Sequence, residues 1–331
     1  MKLEALERSR DLLAGCSRPL LVTHIAPDGD AVGSLLGLGW ALRVQGAAAT
    51  LTCQDPLPIR FDFLPGFNEV TSEPEGDFDL LVSLDCSSPD RMGSIESHTG
   101  SVPLLNIDHH VTNLDFGTVN LVDAEAVSTT HILYDLISDL GVALDERIAT
   151  CLLTGLTTDT RGFRTSNVTS DVMRIALELM EAGALLPVIT RNGLDRRPVG
   201  ALRLWGAGLS RLKVVDGVVW ASLPLEVQRA IGCEGLGDAG LTNLLLSAEE
   251  ANVAVVFVET SNGQVEVGIR SVPGFDVSGI ALELGGGGHP RASGCRVSGP
   301  LEEAERRILA MLREELTRQR ERKSGDDGRN S

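Results

Sequence analysis

Residues 19–30 read Pro19-Leu20-Leu21-Val22-Thr23-His24-Ile25-Ala26-Pro27-Asp28-Gly29-Asp30. The first six form a short apolar run ending on a histidine, and the following turn supplies two acids. An apolar run of this length is expected to be a strand covered on both faces. Residues 31–44 continue as an apolar helix and 49–53 as a second strand. Similar runs at 78–84 and 102–107 read as further strands, and 127–140, 145–158 and 171–182 as helices. This alternation predicts an α/β domain over residues 1–185, with a doubly wound, mainly parallel sheet.

The pattern then changes. Residues 186–212 carry Pro187, Gly193, Pro198 and Gly200 and read as a linker, partly helical towards its end. A second, smaller α/β domain is expected over 213–321, facing the first across a cleft. Its signals are a hairpin at 214–223 around Asp216-Gly217, a strand pair at 251–260 and 264–271, a short helix at 276–284 and a charged amphipathic helix at 301–320. The polar tail, 322–331, is expected to be disordered.

Composition narrows the function. The 331 residues carry a formal net charge of -17, whereas a protein that grips long duplexes by neutralising phosphates is usually basic. One tyrosine and three tryptophans are too few for an aromatic stacking platform. A polyanionic ligand is therefore expected to be short, and held by local cations or metal ions. The six cysteines are scattered without a C-x-x-C pair, which speaks against a disulfide framework or a thiolate zinc site and fits a reducing, cytoplasmic setting. The opening stretch MKLEALERSRDLLAG mixes both charge signs, unlike a secretory leader. No apolar run approaches the roughly 20 residues of a membrane span.

Chemistry-bearing residues cluster where the strands end. The strand at 19–24 delivers His24, then Asp28 and Asp30; the strand at 78–84 runs into Asp85; the strand at 102–107 runs into Asp108, His109 and His110. Ligand sites of open α/β sheets lie beyond the carboxyl ends of the strands, so these segments are expected to converge. Carboxylates with imidazoles suit divalent metals, and a carboxylate-rich set leans to manganese over zinc. A metal pair about 3.5–4 Å apart can activate water and clamp phosphoryl oxygens. Taken singly, Pro27-Asp28-Gly29-Asp30 reads as a turn, Asp85 as a helix cap and the His-His pair as structural; the combination argues otherwise.

A second cluster is Gly285-Gly286-Gly287-Gly288-His289-Pro290-Arg291-Ala292-Ser293-Gly294. Successive glycines allow close backbone approach and can aim N–H groups at phosphate. In contrast, Gly235-Leu236-Gly237-Asp238-Ala239-Gly240 matches G-x-G-x-x-G without a preceding strand or a βαβ unit, and is read as a decoy.

Four segments in order resemble the DHH phosphoesterases that carry a DHHA1 C-terminal domain. They are His24 to Ser34, Asp85, Asp108-His109-His110-Val111-Thr112-Asn113, and Thr158-Asp159-Thr160, joined by the glycine run with His289. The resemblance implies that His24 and Asp28 hold one metal ion, that Asp30, His109 and Asp159 hold another, and that Asp85 bridges them. It implies that Asp108 orients a ligating imidazole and that His110 touches the substrate phosphate. Arg270, Ser271, Gly286, Gly287, Gly288 and His289 would grip the nucleotide. It further implies two divalent ions, Mn²⁺ by preference, and a homodimer. Implied substrates are short RNA oligonucleotides, cleaved to mononucleotides, and 3′-phosphoadenosine 5′-phosphate, relieved of its 3′-phosphate. A cyclic or linear dinucleotide phosphodiesterase shares the motifs and stays open as an alternative, and a nucleotide-binding sensor is a further one. Arg161 stands where the resemblance leads one to expect a smaller residue.

Overall fold

The computed structural model describes residues 2–98 and 102–327. The chain divides into two units, Met1–Arg196 and Arg197–Ser331. The first is built on five parallel strands: β1 (Pro19–Thr23), β2 (Thr50–Thr52), β3 (Leu80–Leu84), β4 (Leu104–Asp108) and β5 (Val119–Val122), in the order β2-β1-β3-β4-β5. Helices α1 (Lys2–Gly15), α2 (Gly29–Val44), α3 (Thr129–Asp139), α4 (Glu146–Asp159) and α5 (Ser170–Glu181) accompany it.

Side chains alternate across the pleat, so each central strand feeds two cores. Leu21, Val82, Leu105 and Ile107 enter a large core with the helices. Leu20, Val22, Leu81 and Leu104 enter a smaller one, closed by Cys86 and by Met92 and Ile95 of the 3-10 turns at Pro89–His98. Both faces are thus covered, which is why the strands read as largely apolar runs. Strand β5 was not expected from the sequence. Its burial alternates between full and partial, so as an edge strand it shows no continuous apolar run.

The crossing of α2 and α4 matters most for the site. Gly29, Gly33 and Gly37 recur every fourth residue along α2 and so share one face. A Cβ on Gly33 would stand 2.5 Å from the Cys151 carbonyl oxygen, and one on Gly155 would stand 2.4 Å from Asp30 Oδ1. Only glycine lets these backbones approach so closely.

The stretch 186–212, expected as a linker, is largely helical. It contains α6 (Leu186–Thr190), a π-helical turn at Arg191–Asp195 and α7 (Val199–Leu209). The prolines here start helices instead of breaking them. Pro187 lies in the first turn of α6 and Pro198 is the N-cap of α7, positions where a missing N–H costs little. Ile189 packs into the first unit and Leu204 into the second, so the boundary at Arg196 and Arg197 falls inside this stretch.

The second unit carries six strands: β6 (Lys213–Val215), β7 (Val218–Leu223), β8 (Val253–Glu259), β9 (Gln264–Ser271), β10 (Gly287–His289) and β11 (Ala292–Ser298). Their order is β10-β11-β9-β8-β7-β6, antiparallel except for the parallel pair of β7 and β8. Asp216 and Gly217 turn the β6–β7 hairpin with φ of 54° and 81°, as a type I′ turn requires. Three short helices, α8 (Leu225–Ala230), α9 (Leu241–Leu245) and α10 (Ser278–Glu283), precede the long α11 (Leu301–Asp327). Ile308, Leu312 and Leu316 of α11 pack on Val255, Phe257 and Val267; Leu204 and Leu241 cover the other face through Val219, Ala221 and Val256. The expected disordered tail is corrected in part, since α11 carries residues 322–327 as helix and 328–331 lie outside the described residues. Among the described residues, no helix is long and apolar enough to cross a membrane.

Candidate functional site

The register of the first sheet decides which side chains meet. Thr23 pairs with Leu84, and Leu84 with Ile107, so His24, Asp85 and Asp108 follow aligned positions at the same strand ends. Helix α2 starts from the same edge: Asp28 is its N-cap, with Oδ1 accepting the N–H groups of Asp30 (3.0 Å) and Ala31 (3.1 Å). Asp159 closes α4. The residues come together as three groups whose possible ligand atoms lie within 4.8 Å of one another: His24, Asp28 and Asp85; Asp30, His109 and Asp159; and Asp85, His109 and His110.

Asp85 sits at the centre. It is 3% exposed and adopts a left-handed backbone, φ 60°, which Asp tolerates better than most residues. Its Oδ2 lies 3.5 Å from His24 Nε2, and its Oδ1 lies 3.7 Å from both His109 Nε2 and His110 Nδ1. Burial alone would raise this carboxyl. The hydrogen bond from His24 and the charges of His109, His24 and His110 outweigh it and bring the group down to about 2. The His24 imidazole is disfavoured as a cation by burial, yet its contact with Asp85 raises it overall. Its other nitrogen, Nδ1, lies 2.9 Å from the Ile25 carbonyl oxygen and 2.8 Å from Arg91 Nη2. That nitrogen can donate to the first or accept from the second, but not both.

Asp30 is fully buried at the start of α3. Its Oδ2 accepts the Thr129 N–H (2.6 Å), and its Oδ1 accepts the Thr130 N–H (3.0 Å) and hydroxyl (2.7 Å). A helix N-terminus favours an anion in this position. Even so, burial and the charges of Asp85 and Asp28 push the Asp30 carboxyl well above its ordinary range. Asp159 is pushed the same way by burial and by Asp30, Asp28 and Asp85, and it ends a helix where the dipole disfavours a carboxylate. Crowded acids in such surroundings are compatible with ionisation only if cations join them. This donor set of carboxylates and imidazoles therefore fits divalent metal ions.

Asp108 was expected to orient a ligating imidazole. The structure pairs it with His110, whose Nδ1 lies 2.7 Å from Asp108 Oδ1. Asn113 Nδ2 donates to Asp108 Oδ2 at 2.6 Å and to the Cys86 carbonyl at 3.1 Å. The hydrogen bond to Asp108 outweighs burial and, with the charge of Asp85, raises His110 to about 9. Arg161 lies just past the C-cap of α4, exposed, with a left-handed φ of 53°.

In the second unit, β9 shows strict alternation. Glu266, Gly268 and Arg270 share one face, and Val267, Ile269 and Ser271 are buried on the other. Across from them on β11 stand Arg296, Gly294 and Ala292 in that order. Small residues thus form a floor, rimmed by Arg270 and by the Arg296–Glu266 ion pair (2.7 Å), under an open cavity of about 640 Å³. Glycine in a strand marks a place where another group can approach the backbone closely. Ser271 does not belong to this face. Neighbouring residues of a strand point oppositely, and its hydroxyl donates to the Phe275 carbonyl at 2.7 Å. The glycine run is no loose loop either. Gly286 lines the cavity, while Gly287, Gly288 and His289 form the exposed edge strand β10. A Cβ on Gly288 would meet the Ala292 carbonyl oxygen at 2.4 Å. The G-x-G-x-x-G decoy forms an irregular loop in which Asp238 accepts the Gly240 and Thr242 N–H groups, at 3.0 and 3.1 Å.

Four further residues border the site without a motif to mark them: Arg91, Thr129, Thr130 and Gly155. Their only local signal is Ser128-Thr129-Thr130 ahead of an apolar helix, which looks like an ordinary N-cap.

Residues 19–156 match the DHH family, N-terminal domain, and residues 237–318 match the DHHA1 domain. The bifunctional oligoribonuclease and PAP phosphatase NrnA of Thermus thermophilus is 38% identical over 323 residues, 95% of each chain. The protein of that name from Bacillus subtilis is 27% identical, over 88% of this chain and 93% of its own. Among solved structures, an exopolyphosphatase-related protein from Bacteroides fragilis superposes with a TM-score of 0.85 at 26% identity, covering 93% of this chain and 95% of that one. RecJ of Thermus thermophilus, solved with Mn²⁺, shares the fold at a TM-score of 0.56 and 17% identity, over 93% of this chain and 54% of its own. With these domains matched in order along a chain whose strand ends gather the family's acids and histidines, the protein belongs to the DHH family.

Proposed function

We propose that this protein is a metal-dependent phosphoesterase that hydrolyses short oligoribonucleotides to mononucleotides and removes the 3′-phosphate of 3′-phosphoadenosine 5′-phosphate. The observation that carries the reading is the pair of acid–imidazole sets meeting around Asp85, in a chain alike end to end to an oligoribonuclease and PAP phosphatase. His24, Asp28 and Asp85 would hold one divalent ion, and Asp30, His109 and Asp159 a second, with Asp85 shared. The carboxylate-rich donors favour manganese. When bound, the ions supply Lewis-acid activation of water and charge neutralisation at the phosphoryl group.

The chain's own residues do the rest. Asp108 holds Nδ1 of His110, leaving Nε2 as the nitrogen that can donate to a phosphoryl oxygen. Asn113 fixes Asp108 in turn. Arg270 and the Gly268–Gly294 floor would receive the nucleotide, with Gly286 at the margin. Gly287, Gly288 and His289 would act by shaping that margin. The overall acidity excludes long polyanions by repulsion while this local cation admits a short one.

A homodimer would have a surface on α5, where Met173, Leu177 and Met180 form a stripe 41–54% exposed. Arg174 and Glu181 flank it, so two copies packed antiparallel would match opposite charges. Light scattering of the wild type and of Leu177→Glu reads this directly; a monomeric wild type refutes it.

The test of activity is product analysis with Mn²⁺ on a 5′-labelled RNA dinucleotide, a long RNA, 3′-phosphoadenosine 5′-phosphate and cyclic di-AMP, with Asp159→Ala as control. Mononucleotide release from the dinucleotide, and phosphate release from the bisphosphate nucleotide, are expected. Turnover of cyclic di-AMP alone would refute the assignment.

A further inference from the structure

Helix α3 begins at the metal site although none of the motif residues lies on it. Its N-cap, Ser128, spends its hydroxyl on the His131 N–H at 3.1 Å. That leaves the N–H groups of Thr129 and Thr130 without partners inside the helix. Both are taken by Asp30, at 2.6 and 3.0 Å. The Thr129 hydroxyl does not turn back on its own helix. It crosses to the end of β3 and donates to Asp85 Oδ1 at 2.8 Å, closer than any of the three imidazoles at 3.5–3.7 Å. Thr129 is fully buried, so water does not compete for that hydroxyl.

We infer that Thr129 is a positioning residue that ties the acids of the two metal sets together, holding Asp30 through its amide and Asp85 through its hydroxyl. The two contacts come from one residue at a rigid helix start, so they set the spacing of Asp30 and Asp85. The hydroxyl also turns the Asp85 carboxylate: with Oδ1 engaged by Thr129, Oδ2 is the oxygen left towards His24. A carboxylate free to rotate would present a misaligned oxygen to one set or the other. Outer partners of metal ligands typically change affinity or activity by about 10–100-fold when removed.

The inference rests on the proposed metal-dependent reading, and its test separates the two. Thr129→Val keeps shape and amide but deletes the hydroxyl; Thr129→Ser restores it. Mn²⁺ is titrated calorimetrically into metal-free wild type and both variants, with kcat and KM for an RNA dinucleotide measured beside it. Thr129→Val is expected to weaken the Asp85-dependent Mn²⁺ step about 10–100-fold and lower kcat, with KM within about twofold, and Thr129→Ser to recover most of both. Wild-type Mn²⁺ affinities in Thr129→Val would overturn the inference while leaving the functional reading intact. So would a Thr129→Ser variant that loses affinity without recovery, which remains informative if the valine variant fails to fold. A wild type that neither binds Mn²⁺ nor turns over the dinucleotide overturns the functional reading first, and the inference with it.

Discussion

On the proposed two-ion reading, removing the charge of Asp85 should abolish both metal-binding steps at once. Asp85 Oδ2 faces His24 of one set, and Oδ1 lies 3.7 Å from His109 of the other. Asp85→Asn keeps an oxygen for the Thr129 hydroxyl, so the neighbourhood need not collapse, yet it removes the shared carboxylate. A ligand at 100 times its dissociation constant stabilises the folded state by about 2.7 kcal/mol per site. The first unit, Met1–Arg196, is of a size at which 1 kcal/mol moves Tm by roughly 2–4 °C. Each bound ion should then raise its Tm by about 5–11 °C, and two by about 11–22 °C. Calorimetric melting of metal-free protein with and without Mn²⁺ reads this out. Wild type should show the full shift, Asp159→Ala roughly half, and Asp85→Asn almost none. An Asp85→Asn protein with the full shift, or an Asp159→Ala protein with none, would refute the reasoning that one carboxylate is shared and the other is not.

Three further outcomes are expected. Gly155→Ala places a Cβ 2.4 Å from both Asp30 Oδ1 and Thr130 Cγ2, so it should destabilise the first unit by about 1–3 kcal/mol and weaken Mn²⁺ binding, measured by melting and titration. Arg270→Ala should raise KM for a dinucleotide by roughly ten- to hundredfold through loss of a charged hydrogen bond, leaving the Mn²⁺-induced Tm shift unchanged; an unchanged KM removes Arg270 from the substrate face. Glu305 accepts from Lys213 Nζ (2.8 Å), Trp220 Nε1 (2.9 Å) and Ser222 Oγ (2.6 Å), and these contacts overcome burial to hold its carboxyl below the ordinary value of 4.5. A lowered folded value means stability present above pH 4.5 and lost as pH falls through the folded value, so second-unit melting should decline there in wild type and lose that dependence in Glu305→Gln.

The sequence by itself determined the α/β character and that acids and imidazoles stand at the strand ends. Strands β1, β3 and β4 are buried on both faces, which writes them as largely apolar runs, and the residues at or just past their ends are acids and imidazoles that no core would tolerate unpaired. Local signals failed where burial was partial or where a residue's role lay across the chain. Edge strand β5 alternates, the prolines of 186–212 start helices instead of breaking them, and Ser271 next to Arg270 faces the opposite side of its strand. Only the tertiary structure decided that Asp108 serves His110, and that Thr129 joins Asp30 to Asp85 across 99 and 44 residues of sequence. A hydrogen bond depends on positions in space to a fraction of an ångström, and those positions come from the register of the sheet and the crossing of α2 with α4, which no local window of sequence contains.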